Sequence, residues 1–285
     1  MHTNTETINI TFEQAETVKN RFFNYVEAFE HGDEKCTENA ILKENHSIRV
    51  CNEILSIAAD LGLTPAQLHF AEITAMFHDI GRFEQYARYG TFADGKSVNH
   101  ALLGIEILKN QNLLSGLEPD MQDLVCRIIA YHNRAQLPDN ETETCLFFAG
   151  LLRDADKLDI FRVLTRYYQN TGAVRNEALE LDLPDTETIS DEVYQSLIQG
   201  KIVNFKHVKN LNDFKLLQAA WVFDVNFPQT LYAIKTRGYL DVIRKVLPDM
   251  AQTDDIFARI HASLDQRLAA GTANPAFENH HFKPF

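Results

Sequence analysis

Ala71-Glu72-Ile73-Thr74-Ala75-Met76-Phe77-His78-Asp79-Ile80-Gly81 is the stretch on which the fold turns. Apolar side chains at helical spacing run up to His78-Asp79, and a glycine follows almost at once. Such a run is a buried helix. An imidazole and a carboxylate at its buried end are costly unless a metal or a partner group matches them. The stretch therefore predicts a helical core with a polar centre inside it.

The same helical period continues on both sides, and strand-like alternation is rare. Residues 11–29 and 38–61 read as helices, the second closing at Gly62. Thr64-Pro65 is an N-cap with proline at the first helical position, so the quoted run belongs to a helix from there to about Asp79. It stops near Gly81. Residues 89–95 carry two glycines and an Asp-Gly pair and read as a loop. Ser97 then caps a helix to about Asn110, Glu118-Pro119 opens another to about His132, and residues 142–169 are strongly helical. Beyond lie an acidic connector (177–192), a helix near 192–200, two apolar helices within 208–247 and a last helix over 254–270. The tail, with two prolines and His280-His281, reads as frayed. The expected fold is all-α. Residues 1–34 form an N-terminal helix on a core of 35–175, and 176–285 form a C-terminal helical extension of the same compact unit.

A chain of 285 residues is ample for a buried core. With 27 basic and 40 acidic side chains its net charge is −13, which argues against a long nucleic acid as partner. No run of about 18 apolar residues exists, so no membrane span is expected. The start of the chain lacks the basic and apolar regions of a signal peptide. Four scattered cysteines, Cys36, Cys51, Cys126 and Cys145, read as reduced thiols of a cytoplasmic protein.

His46, His78-Asp79, His100, His132 and Asp156 follow one another at intervals of 32, 22, 32 and 24 residues. Each interval is about one helix plus one turn, so successive helices can direct ligands to a shared centre. Imidazoles with carboxylates suit divalent transition metals such as Mn, Fe, Co, Ni or Zn. His2, His31, His69, His207, His261, His280 and His281 read as surface or hydrogen-bonded residues.

In these motifs the sequence resembles the HD-domain superfamily of metal-dependent phosphohydrolases. His46-Ser47-Ile48-Arg49-Val50 is similar to that family's first histidine helix. Phe77-His78-Asp79-Ile80-Gly81 is similar to its naming motif, and Asp154-Ala155-Asp156-Lys157-Leu158-Asp159 to its closing aspartate motif. The resemblance covers roughly residues 40–170 and implies an HD-domain helical bundle. It implies one metal site of His46, His78, Asp79 and Asp156. It also places His100 and His132 where two-metal members hold a second ion, with Asp79 bridging. The alternative for His100 and His132, substrate phosphate binding or general acid catalysis over one metal, stays open, and so does the choice between one ion and two. The resemblance makes Lys157 a phosphate contact. Arg82, three residues after Asp79, and Arg49, one turn beyond His46, are candidates by position. Arg153, Arg162, Arg166 and Arg175 are further ones.

The expected function is hydrolysis of a phosphate ester of a small metabolite or nucleotide by metal-activated water, with Asp79, His100 and His132 catalytic. An HD-type di-iron oxygenase and a non-catalytic nucleotide sensor are the alternatives, and a homodimer stays open. The acidity is not spread evenly. Residues 1–40 carry −5 and 176–192 carry −7, whereas 41–175, with every proposed ligand, carry −4 and the 153–175 segment carries +2. The centre can thus receive a small phosphate ester while the flanking surface repels a polymer.

Overall fold

The computed structural model describes residues 7–31, 33–170, 180, 181 and 183–271. Regular structure among them is helical, apart from one isolated bridge between Ser115 and Leu117. The all-α expectation holds. The chain divides into two compact units, one ending at Asp156 and one beginning at Lys157. Part of the acidic connector lies outside the described residues. So do His2, Arg175, His280, His281 and the tail.

The first unit is built from α1 (Phe12–Glu27), α2 (Glu34–Ala58), α3 (Pro65–Phe77), α4 (Gly81–Tyr89), α5 (His100–Asn110), α6 (Pro119–His132) and the first half of α7 (Glu143–Gln169). Local chemistry sets their starts. Thr11 with Gln14 and Thr64 with Gln67 form capping boxes, Asp33 caps α2, and Pro65 and Pro119 open α3 and α6. The apolar face of α3, with Phe70, Ile73 and Phe77 fully buried, packs against α1, α2 and α6. Phe22 of α1 meets Phe77 edge-on at 5.4 Å, and Phe148 of α7 meets Phe70 at 4.9 Å.

Two local expectations are corrected. Gly81 starts a helix rather than only ending one. His78 keeps helical torsions at the end of α3, and α4 follows after a single turn. The helix at 100–110 is capped by Asn99, whose side chain accepts from the Leu102 amide, and not by Ser97. The Ser97 hydroxyl instead donates to the Ala93 carbonyl.

The second unit holds the rest of α7, then α8 (Asp191–Ile198), α9 (Leu211–Ala219), α10 (Pro228–Thr236), α11 (Tyr239–Lys245) and α12 (Ala251–Ala270). Three helices, not two, fill the 208–247 segment, because Pro228 and Gly238 each interrupt it. Phe161 meets Trp221 and Tyr239 at 5.5 and 5.6 Å, and Ala220, Val222 and Val225 beside Trp221 are fully buried, so this segment is core.

Candidate metal centre

Five helices deliver the polar centre of the first unit. His46 comes from the middle of α2, His78 and Asp79 from the end of α3, His100 from the start of α5, His132 from the end of α6 and Asp156 from α7. All four histidines and Asp79 are buried.

The positions on helix ends matter because end carbonyls lack intrahelical partners. His78 Nδ1 lies 2.8 Å from the Ala75 carbonyl, and His132 Nδ1 lies 2.7 Å from the Ile129 carbonyl, each three residues back. A carbonyl only accepts, so both Nδ1 atoms carry the proton. His100 Nδ1 lies 2.7 and 2.9 Å from the Asp94 carboxylate oxygens, with the same consequence. In the neutral rings the three Nε2 atoms therefore present lone pairs inward, the form a metal ligand needs.

Asp79 divides the centre in two. Its Oδ2 lies 3.5 Å from His46 Nε2 and 3.7 Å from His78 Nε2. Its Oδ1 lies 3.3 Å from His100 Nε2 and 3.7 Å from His132 Nε2. Asp156 Oδ1 completes the first half, 3.1 Å from His46 Nε2 and 3.6 Å from His78 Nε2. Donor atoms around one ion at 2.0–2.2 Å stand about 3.0–3.5 Å apart, so these separations suit a shared ion. His46, His78 and Asp156 form one group able to hold a metal, and His78, Asp79 and His132 another.

The donor chemistry fits a cation on independent grounds. Asp156 Oδ1 is buried without a hydrogen bond. His100 Nε2 and His132 Nε2 are 3.0 Å apart, with both ring protons engaged elsewhere. Two lone pairs facing each other at that distance repel unless a positive charge lies between them.

The carboxylates are held ionised. Burial pushes the Asp79 carboxyl up, but Lys43, His78, His132 and Arg82 outweigh it and hold it well below the usual range. Burial likewise opposes ionisation of Asp156, and His46 and His78 reverse it. Burial lowers the His100 imidazole to about 4 despite the carboxylate of Asp94 beside it. Asp94 is itself brought to about 2, where His100 and Arg82 override its burial.

A pH effect follows for the metal-free protein. Below about pH 6.5 the unfolded chain's imidazole takes up a proton that buried His100 refuses until about pH 4. Stability is expected to fall as the pH drops through that window, by up to about 3 kcal/mol from this group. Chemical denaturation of chelator-treated protein at pH 7, 6, 5 and 4 measures it. A His100→Gln variant should lose this component of the slope.

The proposed cations are placed differently from one another. Arg82 reaches Asp79 Oδ1 through Nε at 3.5 Å, but its Nη1 is bound to Asp94 at 2.9 Å, to Gln85 Oε1 at 2.8 Å and to the Phe92 carbonyl. It anchors the 89–96 loop. Lys157, the first residue of the second unit, is ion-paired with Asp224 at 2.8 Å. Arg49 is half-buried on α2. Arg153 donates to the carbonyls of His132 and Arg134 and so ties down the end of α6.

Two residues of the centre escape the sequence reading. Lys43 Nζ stands 2.8 Å from Asp79 Oδ2 and 5.2 Å from the centre of the Phe92 ring. Its signal was its place three residues before His46, which puts it on the same helix face. Asp94 sits in a loop six residues before His100, and no periodicity points to it.

No helix among the described residues is long and apolar enough to cross a membrane. No curated protein and no solved structure is detectably similar to the chain. Residues 44–160 match the family model of the HD domain, a segment that starts just before His46 and ends just after Asp156. The histidines and aspartates of that segment are gathered at one centre, and residues 44–160 carry an HD domain.

Proposed function

We propose that the protein is a phosphohydrolase that cleaves a phosphate ester of a small metabolite or nucleotide with two divalent ions. The carrying observation is the split of Asp79: each of its oxygens faces a separate pair of imidazole nitrogens. His46, His78, Asp156 and Asp79 Oδ2 would hold one ion, and His100, His132 and Asp79 Oδ1 the other. Such ions lower the pKa of a bound water from 15.7 toward about 7 and neutralise the charge of a phosphoryl group. The remaining work falls to the protein. Asp79 fixes the spacing of the two halves. Neutral His100, its Nδ1 proton held by Asp94, offers a lone pair rather than a proton, which supports the ligand role over that of general acid. Lys43, beside Asp79 Oδ2, is the cation best placed for a non-bridging phosphate oxygen. Most of the chain's acidity lies outside the 41–175 segment, so it does not argue against a small phosphate ester.

The test is elemental analysis of the purified protein, then a screen of nucleotides and sugar phosphates under argon with Mn²⁺, Co²⁺, Ni²⁺ or Mg²⁺ supplied. Phosphate release that a chelator abolishes and added metal restores is the expected result. No release at full metal occupancy overturns the proposal. Bound iron with substrate-dependent O₂ uptake would replace it with oxygenase chemistry on the same scaffold.

A further inference from the structure

We infer that Asp94 is a positioning residue that sets the tautomer of His100, so that the 89–96 loop decides whether the His100–His132 half can hold its ion. The part concerning the ion rests on the two-ion reading above.

The three inward-facing histidines are oriented in two different ways. His78 and His132 lean on backbone carbonyls of their own helices, which a side-chain change cannot withdraw. His100 leans on a carboxylate carried by a loop. That carboxylate is itself held. Arg82 Nη1 and Gln85 Nε2 each reach Asp94 Oδ1 at 2.9 Å, and Asn133 Nδ2 stands 3.4 Å from Oδ2. Gln85 is fully buried on α4, and its Nε2 also lies 2.9 Å from Ser97 Oγ and from the Val98 carbonyl. Arg82 also takes the Phe92 carbonyl. One arginine and one glutamine of α4 thus fold the loop so that its carboxylate ends at His100.

The alternative tautomer has a specific consequence. With the proton on Nε2, His100 would donate to His132 Nε2, only 3.0 Å away. Both nitrogens would then be consumed by a hydrogen bond, and the half-site would be closed to a cation. Asp94 excludes that state because a carboxylate can only accept a hydrogen bond from Nδ1–H. An asparagine in its place can turn its amide N–H toward Nδ1 and favour the closed state.

The test compares wild type with Asp94→Asn and Asp94→Glu. Histidine ¹⁵N spectra of the metal-free proteins read the tautomer, and equilibrium dialysis against Mn²⁺ with elemental analysis reads the ions. The wild type should show His100 protonated at Nδ1 and bind two ions. Asp94→Asn should move the proton to Nε2 and weaken one ion about 10–100-fold, leaving the other unchanged. Asp94→Glu, which keeps the charge, should restore the Nδ1 proton and much of the binding. Circular dichroism checks the fold, and the Asp94 side chain is 31% exposed, so an isosteric change is tolerated. An unchanged tautomer in Asp94→Asn overturns the positioning role. Two ions retained with unchanged affinity overturn the loop's control of the half-site. A wild type that binds one ion, with the tautomer switching as expected, overturns the two-ion reading and the half-site claim but not the positioning role.

Discussion

Asp79→Asn is expected to lower phosphate-ester turnover on the order of 10³-fold or more, because one change disables both halves of the centre. Asparagine keeps the shape of the side chain but has one acceptor oxygen, and its amide presents N–H toward whichever imidazole pair it faces. Whichever way the amide turns, one of the two His pairs loses its shared oxygen. Both halves also lose the negative charge that balances the cations around them. Lys43, 2.8 Å from Oδ2, is left without its carboxylate. Its side chain is 16% exposed, so the ammonium can turn toward water and the fold should survive. The measurements are kcat with saturating Mn²⁺, the number of ions bound, and the circular dichroism spectrum. Activity within tenfold of wild type, with two ions still bound, would remove Asp79 from the bridging role.

Gly81→Ala is expected to damage stability and chemistry together, although Gly81 offers no donor atom to a ligand. A Cβ at this position would overlap the His100 carbonyl oxygen and stand 2.7 Å from the Gly104 nitrogen. These are backbone atoms of α5 and cannot rotate aside. Gly104 meets α4 from the other side, where an added Cβ would be 3.2 Å from Ile80 Cγ2. Helices α4 and α5 touch through two glycines, and a methyl group between them must force them apart. Overpacking of this kind costs about 3 kcal/mol. In a unit of this size that lowers the melting temperature by about 6–12 °C. The same displacement moves His100 relative to Asp79, two residues before Gly81, and a shift of about 1 Å at a reacting centre costs roughly 10²-fold in rate. A Gly81→Ala protein that melts and turns over like the wild type would refute this account of the helix contact.

These residues also mark where the sequence was legible. The set could be read because it obeys two rules at once: each member lies on a helix or at a helix end, and each interval matches a helix and a turn. His46, His78, Asp79, His100, His132 and Asp156 do meet at one centre. Helix α4 was missed because its start, Gly81, carries the signal of a helix end. The glycine is needed for a close approach, and composition cannot tell that from termination. The role of Arg82 could not be read either. Its distance from Asp79 along the chain was visible, but the loop that claims its guanidinium was not. Lys157 follows the last donor directly in sequence, yet its ammonium is taken by Asp224, 67 residues later, a partner no local pattern reveals.

The order of the donors along the chain bears on how the centre comes into being. Asp79 and His100 are 21 residues apart and lie on either side of the α4–α5 contact, whereas His46 and Asp156 are 110 residues apart. Closing the longer loop costs about 1.5 kcal/mol more in chain entropy. During synthesis the α3–α5 segment emerges, with its carboxylate and its imidazole, well before α7 supplies Asp156. Once α6 has followed with His132, the nascent chain would hold the Asp79, His100 and His132 side of the centre while Asp156 is still unmade. On the two-ion reading, an ion that reaches the chain at that stage would meet an incomplete set of ligands.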